Sequence, residues 1–171
     1  GADMANSWAG YENRELDRFK VFRHLVPETI NSIIAERKKQ HPGIHKLGTD
    51  LAVLDQYLGE MWTLYKTKIE ENGLEWAAFG HIGNNHIHVN ILPRDMDELQ
   101  TGLQLYKVFA KKAVELGGTV SAEHGIGKIK RKFLSLMYTP QQIEQMRRIK
   151  QALDPKGIFN PNDIFPAGAA A

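Results

Sequence analysis

Two apolar runs, Leu74 to Ile82 and His86 to Leu92, flank the tripeptide Gly83-Asn84-Asn85. Glycine and asparagine tolerate the positive φ that a tight hairpin demands, so this stretch predicts a pair of antiparallel strands. The elements on either side are ordered around that hairpin. Before it, Lys46 to Leu54 is short and rich in Leu, Val and Thr, the pattern of a strand. Asp55 then caps an amphipathic segment with Leu58, Met61, Leu64, Tyr65 and Ile69 on one side, which ends at Asn72-Gly73. After the hairpin, Asp95 and Glu98 form a variant capping box. They open a helix carrying Leu99, Leu103, Tyr106, Val108, Phe109 and Val114 up to Gly117-Gly118, and a short strand follows from Thr119 to Ala122. The order strand, helix, strand, strand, helix, strand predicts an α+β fold: a ferredoxin-like antiparallel sheet covered by helices on one face.

The flanks read as helical. Leu16, Phe19, Phe22 and Leu25 recur every three residues between Glu12 and Leu25, on one stripe of a helix. Pro27 suits the first turn of a second helix, which continues through Ile30, Ile33 and Ile34 to the basic end Arg37, Lys38, Lys39. Beyond residue 127 a C-terminal helical extension is expected, with Lys128, Lys130, Arg131 and Lys132 on an exposed face and a last helix opened by Thr139-Pro140-Gln141-Gln142. The tail to Pro166 is apolar and punctuated by proline, a composition expected to pack on another surface.

Composition narrows the function classes. The chain has 171 residues, 42% hydrophobic and 25% charged, so one core is expected. The absence of cysteine removes disulfides, thiolate nucleophiles, Fe–S clusters and Cys-ligated zinc. Any metal must then use His, Asp, Glu or Asn. A net charge of +2 does not point to nucleic acid, and no apolar run approaches the roughly 18 residues of a membrane span. No signal-peptide pattern opens the sequence at Gly1.

Three of seven histidines, His81, His86 and His88, lie within eight residues. Strand alternation puts His86, His88 and Asn90 on one face and Ile87, Val89 and Ile91 on the other, and the hairpin returns His81 toward His88. Neutral imidazoles so placed, joined by a carboxylate such as Glu123, suit zinc, manganese or iron with positions open to water or substrate. Each histidine alone reads more readily as an ordinary hydrogen-bonded residue, and only the cluster of three brings the two readings level. Glu123-His124-Gly125-Ile126-Gly127 follows a strand end, where loops commonly hold site residues. Arg23 and Lys46 are either surface charges or anchors for a substrate carboxylate.

Taken together, the chain resembles the C-terminal domain of FAD-linked oxidases of the D-lactate dehydrogenase and glycolate oxidase type, in the vanillyl-alcohol-oxidase superfamily. Gly80-His81-Ile82-Gly83-Asn84-Asn85-His86-Ile87-His88-Val89-Asn90 is similar to that family's GHxGDGNxHxN, with Asn84-Asn85-His86 in place of Asp-Gly-Asn. Ser121 to Gly127 resembles S-x-EHGIG, and Ile149 to Pro161 resembles IK-x-x-LDP…NP. Phe22-Arg23-His24 and Lys46 to Asp50 also have counterparts, whereas Leu54 stands where a proline is common.

This resemblance implies a divalent metal (zinc, manganese or iron) on His81, His88 and Glu123, a small 2-hydroxy carboxylate held by Arg23, Lys46 and Asn90, and His124 as general base. The hydroxyl proton would pass to His124 and a hydride from C2 to FAD. It further implies that FAD sits mainly in an N-terminal domain outside this chain, that residues 128–171 contact that domain, and that electrons leave to a separate acceptor. The chain alone, read as an excised or separately expressed substrate domain spanning 1–171, is expected to be inactive. A cytoplasmic location follows from the same reading, with peripheral attachment to a membrane through the acceptor. The alternatives from other classes are a histidine-triad nucleotide hydrolase, suggested by His86-Ile87-His88-Val89-Asn90, and a non-catalytic ferredoxin-like binding module.

Overall fold

A computed structural model describes residues 3–7 and 9–165. Pro166 and the rest of the predicted tail, 166–171, lie outside the described residues. Helix α1 (Asn13–Lys38) is followed by strand β1 (Leu47–Gly48), helix α2 (Leu58–Glu71) and the hairpin β2 (Trp76–His81) and β3 (His86–Ile91). Helix α3 (Met96–Glu115) precedes the C-terminal extension of α4 (Gly127–Lys130), α5 (Leu134–Met137) and α6 (Pro140–Leu153). The sheet order is β1-β3-β2, antiparallel throughout.

Ala52, just past β1, makes isolated antiparallel bridges to His86 and to Thr119. Thr119 thus lies outside β1 and completes the fourth-first-third-second order of a ferredoxin-like sheet. The predicted strand over Thr119–Ala122 shrinks to that one bridge because Ser121 N turns to Thr119 Oγ1 and Ala122 N, one residue out of register, takes the Asp50 carbonyl, after which Glu123 N and His124 N donate to the Asp50 carboxylate. Close approach depends on Gly118, where an added Cβ would lie 2.1 Å from the Ala52 carbonyl oxygen.

The hairpin begins at the pair His81↔His86 and runs to Trp76↔Ile91. Its loop holds a 3-10 turn, Ile82–Asn84, and Asn85 takes the left-handed conformation at φ 52° that the sequence requires of this tripeptide. Asn85 Nδ2 donates to Asp55, fastening the loop to the turn that enters α2. Asp95 caps α3 through its Oδ1 on Glu98 N at 2.9 Å, and Thr139 caps α6 through Gln142 N at 3.3 Å.

The two faces of the hairpin differ in chemistry. Val89, Ile91, Trp76 and Ala78 pack with Met61, Tyr65 and Ile69 of α2 and Leu99, Phe109 and Ala113 of α3 in the main core. Phe109, Ile91 and Val89 are fully buried, and each such side chain contributes about 1.5–3 kcal/mol. Helices were expected on this face alone. The opposite face carries Ala77 and Phe79, against which Ile30 and Ile34 of α1 pack with Leu92. Farther along that second face stand His81, His86 and His88.

Two predicted N-terminal helices are one. Proline removes a single backbone donor and disturbs the preceding turn, yet α1 runs through Pro27 because both halves carry helical sequence and the second half is anchored on the sheet. Its first half projects past the sheet, leaving Val21, Phe22 and Leu25 exposed.

Candidate metal and substrate site

Glu123 gathers the histidines. Its Oε1 lies 3.3 Å from His81 Nε2 and 3.2 Å from His86 Nδ1, and its Oε2 lies 3.5 Å from His88 Nε2 and 3.8 Å from His124 Nε2. Glu123 and His124, from the loop after Thr119, thus meet the hairpin histidines: His86, His88 and Glu123 offer donor atoms that all lie within 4.8 Å of one another, whereas the expected ligand His81 joins the cluster through Glu123 alone. The His88 and His124 rings stack at 5.1 Å. Partial burial works to raise the Glu123 pKa, but the facing imidazoles of His86, His81 and His88 outweigh it and hold the carboxyl below its ordinary value.

Backbone geometry fixes one tautomer. His88 Nδ1 lies 3.0 Å from the Thr49 carbonyl, which can only accept, so the proton sits on Nδ1 and the Nε2 lone pair faces Glu123. Two donors bound to one ion at about 2.1 Å each and roughly 100° apart are about 3.2 Å from one another, close to the spacings around Glu123. His86 is buried with neither ring nitrogen hydrogen-bonded. The donor set, its spacing and this orphaned imidazole fit a divalent cation.

A buried ion pair positions the loop. Asp50 accepts from Ser121 Oγ at 3.1 Å, from Glu123 N and His124 N at 3.0 Å each, and from Lys130 Nζ. Burial pushes the Asp50 carboxyl up, but the Lys130 ammonium and the two backbone donors outweigh it and bring its pKa to about 2. Lys130 was expected on an exposed helix face and is instead 7% exposed. Asp50 and Lys130 are the functional residues that sequence reasoning missed. An aspartate inside the apolar run Thr49 to Val53 is the signal for the first, whereas nothing in the basic run distinguishes Lys130 from its neighbours.

The expected carboxylate-binding residues are less closely grouped. Asn90 stands two residues from His88 on the same face of β3, about 7 Å along the strand. It is buried, and the missing Cβ at Gly48, which would lie 3.0 Å from Asn90 Oδ1, leaves a gap beside its amide. Lys46 precedes β1 and donates to Asn31 of α1 at 3.1 Å. Arg23 is exposed on α1, two turns before Ile30, and no hydrogen bond or ion pair among the described residues joins it to the histidines. A separate concavity of about 630 Å³ lies between α6 and the tail, lined by Arg147, Lys150, Asp154, Phe159 and Phe165.

Sequence comparison decides the family. Residues 12–164 match the model of "FAD linked oxidases, C-terminal domain". The chain belongs to that family. It is 30% identical over 158 residues to a D-2-hydroxyglutarate dehydrogenase of Stutzerimonas stutzeri, covering 90% of this chain and 32% of that protein. Over 157 residues it is 36% identical to a D-lactate dehydrogenase of Archaeoglobus fulgidus, covering 92% and 32%. Over 95 residues it is 36% identical to the glycolate oxidase subunit GlcD of Bacillus subtilis, covering 54% and 20%. The chain thus spans about a third or less of the length of these relatives. Family membership ties this domain to FAD, and no helix among the described residues is long and apolar enough to cross a membrane.

Proposed function

We propose that this chain is the substrate- and metal-binding domain of a flavin-dependent 2-hydroxy acid dehydrogenase or oxidase, acting on a small D-lactate-like or glycolate-like acid. The observation that carries the reading is the convergence of His81, His88 and His124 on Glu123, in a chain whose relatives are named for 2-hydroxy acids. His81, His88 and Glu123 would hold the cation, and zinc, manganese and iron all suit the donors. Bound there, it supplies positive charge that acidifies a substrate hydroxyl. FAD, which a domain outside this chain would hold, would supply the acceptor for the hydride from C2.

The chain's own residues do the rest. His124, whose side chain is 63% exposed and 3.8 Å from Glu123, is free to meet a substrate and takes the hydroxyl proton at Nε2. Lys46 and Arg23 would supply positive charge for the carboxylate, and the Asn90 amide a hydrogen bond. Loss of that proton and of a hydride from C2 leaves the 2-oxo acid. Asp50 and Lys130 keep Glu123 and His124 at the cluster.

Exposed apolar groups on the C-terminal extension, Ile149, Leu153, Ile158 and Phe159, support docking of this region on the FAD-binding domain. The chain alone then turns over no hydroxy acid. Metal content of the purified protein, measured before and after His88→Ala and Glu123→Ala, tests the reading. Wild-type protein is expected to hold one equivalent and each variant almost none; unchanged stoichiometry in the variants would overturn it.

A further inference from the structure

His86 stands where the pattern GHxGDGNxHxN has asparagine. Its ring is 2% exposed and lies 4.2 Å from that of His88. Nε2 is 3.2 Å from Asp50 Oδ1 and Nδ1 is 3.2 Å from Glu123 Oε1, yet neither contact is aligned as a hydrogen bond and both nitrogens are buried without a partner. A neutral imidazole has one N–H and can serve only one of two carboxylates, which themselves only accept. An unsatisfied buried polar group is costly enough that native structures rarely keep one without a reason.

The surroundings choose which nitrogen is protonated. Asp50 is an ionised carboxylate locked by Lys130, Ser121 and two backbone amides, so it takes the Nε2 proton. The Nδ1 lone pair is left pointing toward a Glu123 oxygen, two acceptors in contact. A cation bound to both removes that conflict, and their 3.2 Å separation is the spacing of neighbouring ligands on one ion. Asp50 behind the ring then completes a carboxylate–histidine–metal relay that fixes the tautomer. The alternative grouping of Asp50, His88 and His124 is disfavoured because the charge of Asp50 is already neutralised by Lys130.

Resting on the metal-binding reading above, we infer that His86 Nδ1 is a ligand with His88 and Glu123, the three whose donor atoms all lie within 4.8 Å of one another, and that His81, 3.3 Å from Glu123 Oε1, completes a site of three imidazoles and one carboxylate that prefers zinc-type cations over magnesium, calcium or manganese.

Zinc K-edge X-ray absorption on the purified protein, loaded with one zinc equivalent, counts coordinated imidazoles directly. Three are expected in the wild type and two in His86→Asn, with zinc affinity, measured by chelator competition, falling at least tenfold. Two imidazoles in the wild type, or unchanged affinity in the variant, would overturn the assignment of His86 while loss of zinc from His88→Ala kept the site itself. A wild type that binds no zinc would overturn both. The wild-type count needs no variant, so a folding failure of His86→Asn leaves the test intact.

Discussion

Replacing Lys130 by methionine keeps an unbranched chain in place and removes one charge of the buried pair. The two side chains are 9% and 2% exposed, so water cannot stand in for the lost ammonium. Breaking one partner of a buried ion pair costs about 3–5 kcal/mol. Asp50 keeps three other donors, Ser121 Oγ, Glu123 N and His124 N, which places the expected loss at the lower end, about 3 kcal/mol. For a domain of this size that is a fall in Tm of roughly 6–12 °C. Urea unfolding followed by circular dichroism, with protein freed of metal, measures it.

The acid limb should move as well. The folded pKa of Asp50, about 2, lies below its ordinary 3.8, so the stability it confers is present above the ordinary value and lost as pH falls toward 2. In Lys130→Met burial dominates and this loss begins at higher pH. The double variant Asp50→Asn/Lys130→Met should be destabilised by less than the sum of the single variants, by more than 1 kcal/mol. A change below about 1 kcal/mol in Lys130→Met would refute the reasoning, because it would put the pair in the range of solvent-screened surface bridges.

Two further outcomes follow from the geometry. Gly118→Ala sets a methyl group against two carbonyl oxygens, of Ala52 and Ala113, and should cost about 1–3 kcal/mol in urea unfolding, with faster amide exchange at Ala52 and Thr119. Asp154, held below its ordinary pKa by Lys150, which outweighs burial, and by the amides of Phe159 and Ile158, ties the tail to α6; Asp154→Ala should speed exchange at Ile158 and Phe159. That tie persists above the ordinary carboxylate range and loosens as pH falls through the lowered value.

Local signals carried much of the fold. The hairpin, the caps at Asp95 and Thr139, and the division of β3 into a histidine face and an apolar face all rest on neighbouring residues, whose chemistry is written in order. What was not legible depends on distance along the chain. Lys130 meets Asp50 across 80 positions, and its burial cannot be told from the charges beside it. Continuity of α1 through Pro27 is set by packing of Ile30 and Ile34 on the sheet, which overrides a local breaker. The last strand shrank because Ser121 N turns to Thr119 Oγ1 and the chain slips register against Asp50. In the site, His81, His88, Glu123 and His124 were legible through motif resemblance, whereas the strain on His86 appears only once two carboxylates close around it.

The most direct test of the account is calorimetric titration of D-lactate and glycolate into the purified protein, with and without a bound divalent cation. The account predicts binding of at least one of these acids to the metal-loaded wild type, and none to the metal-free protein or to His88→Ala. Equal binding with and without metal, or none at all to the loaded protein, would contradict it.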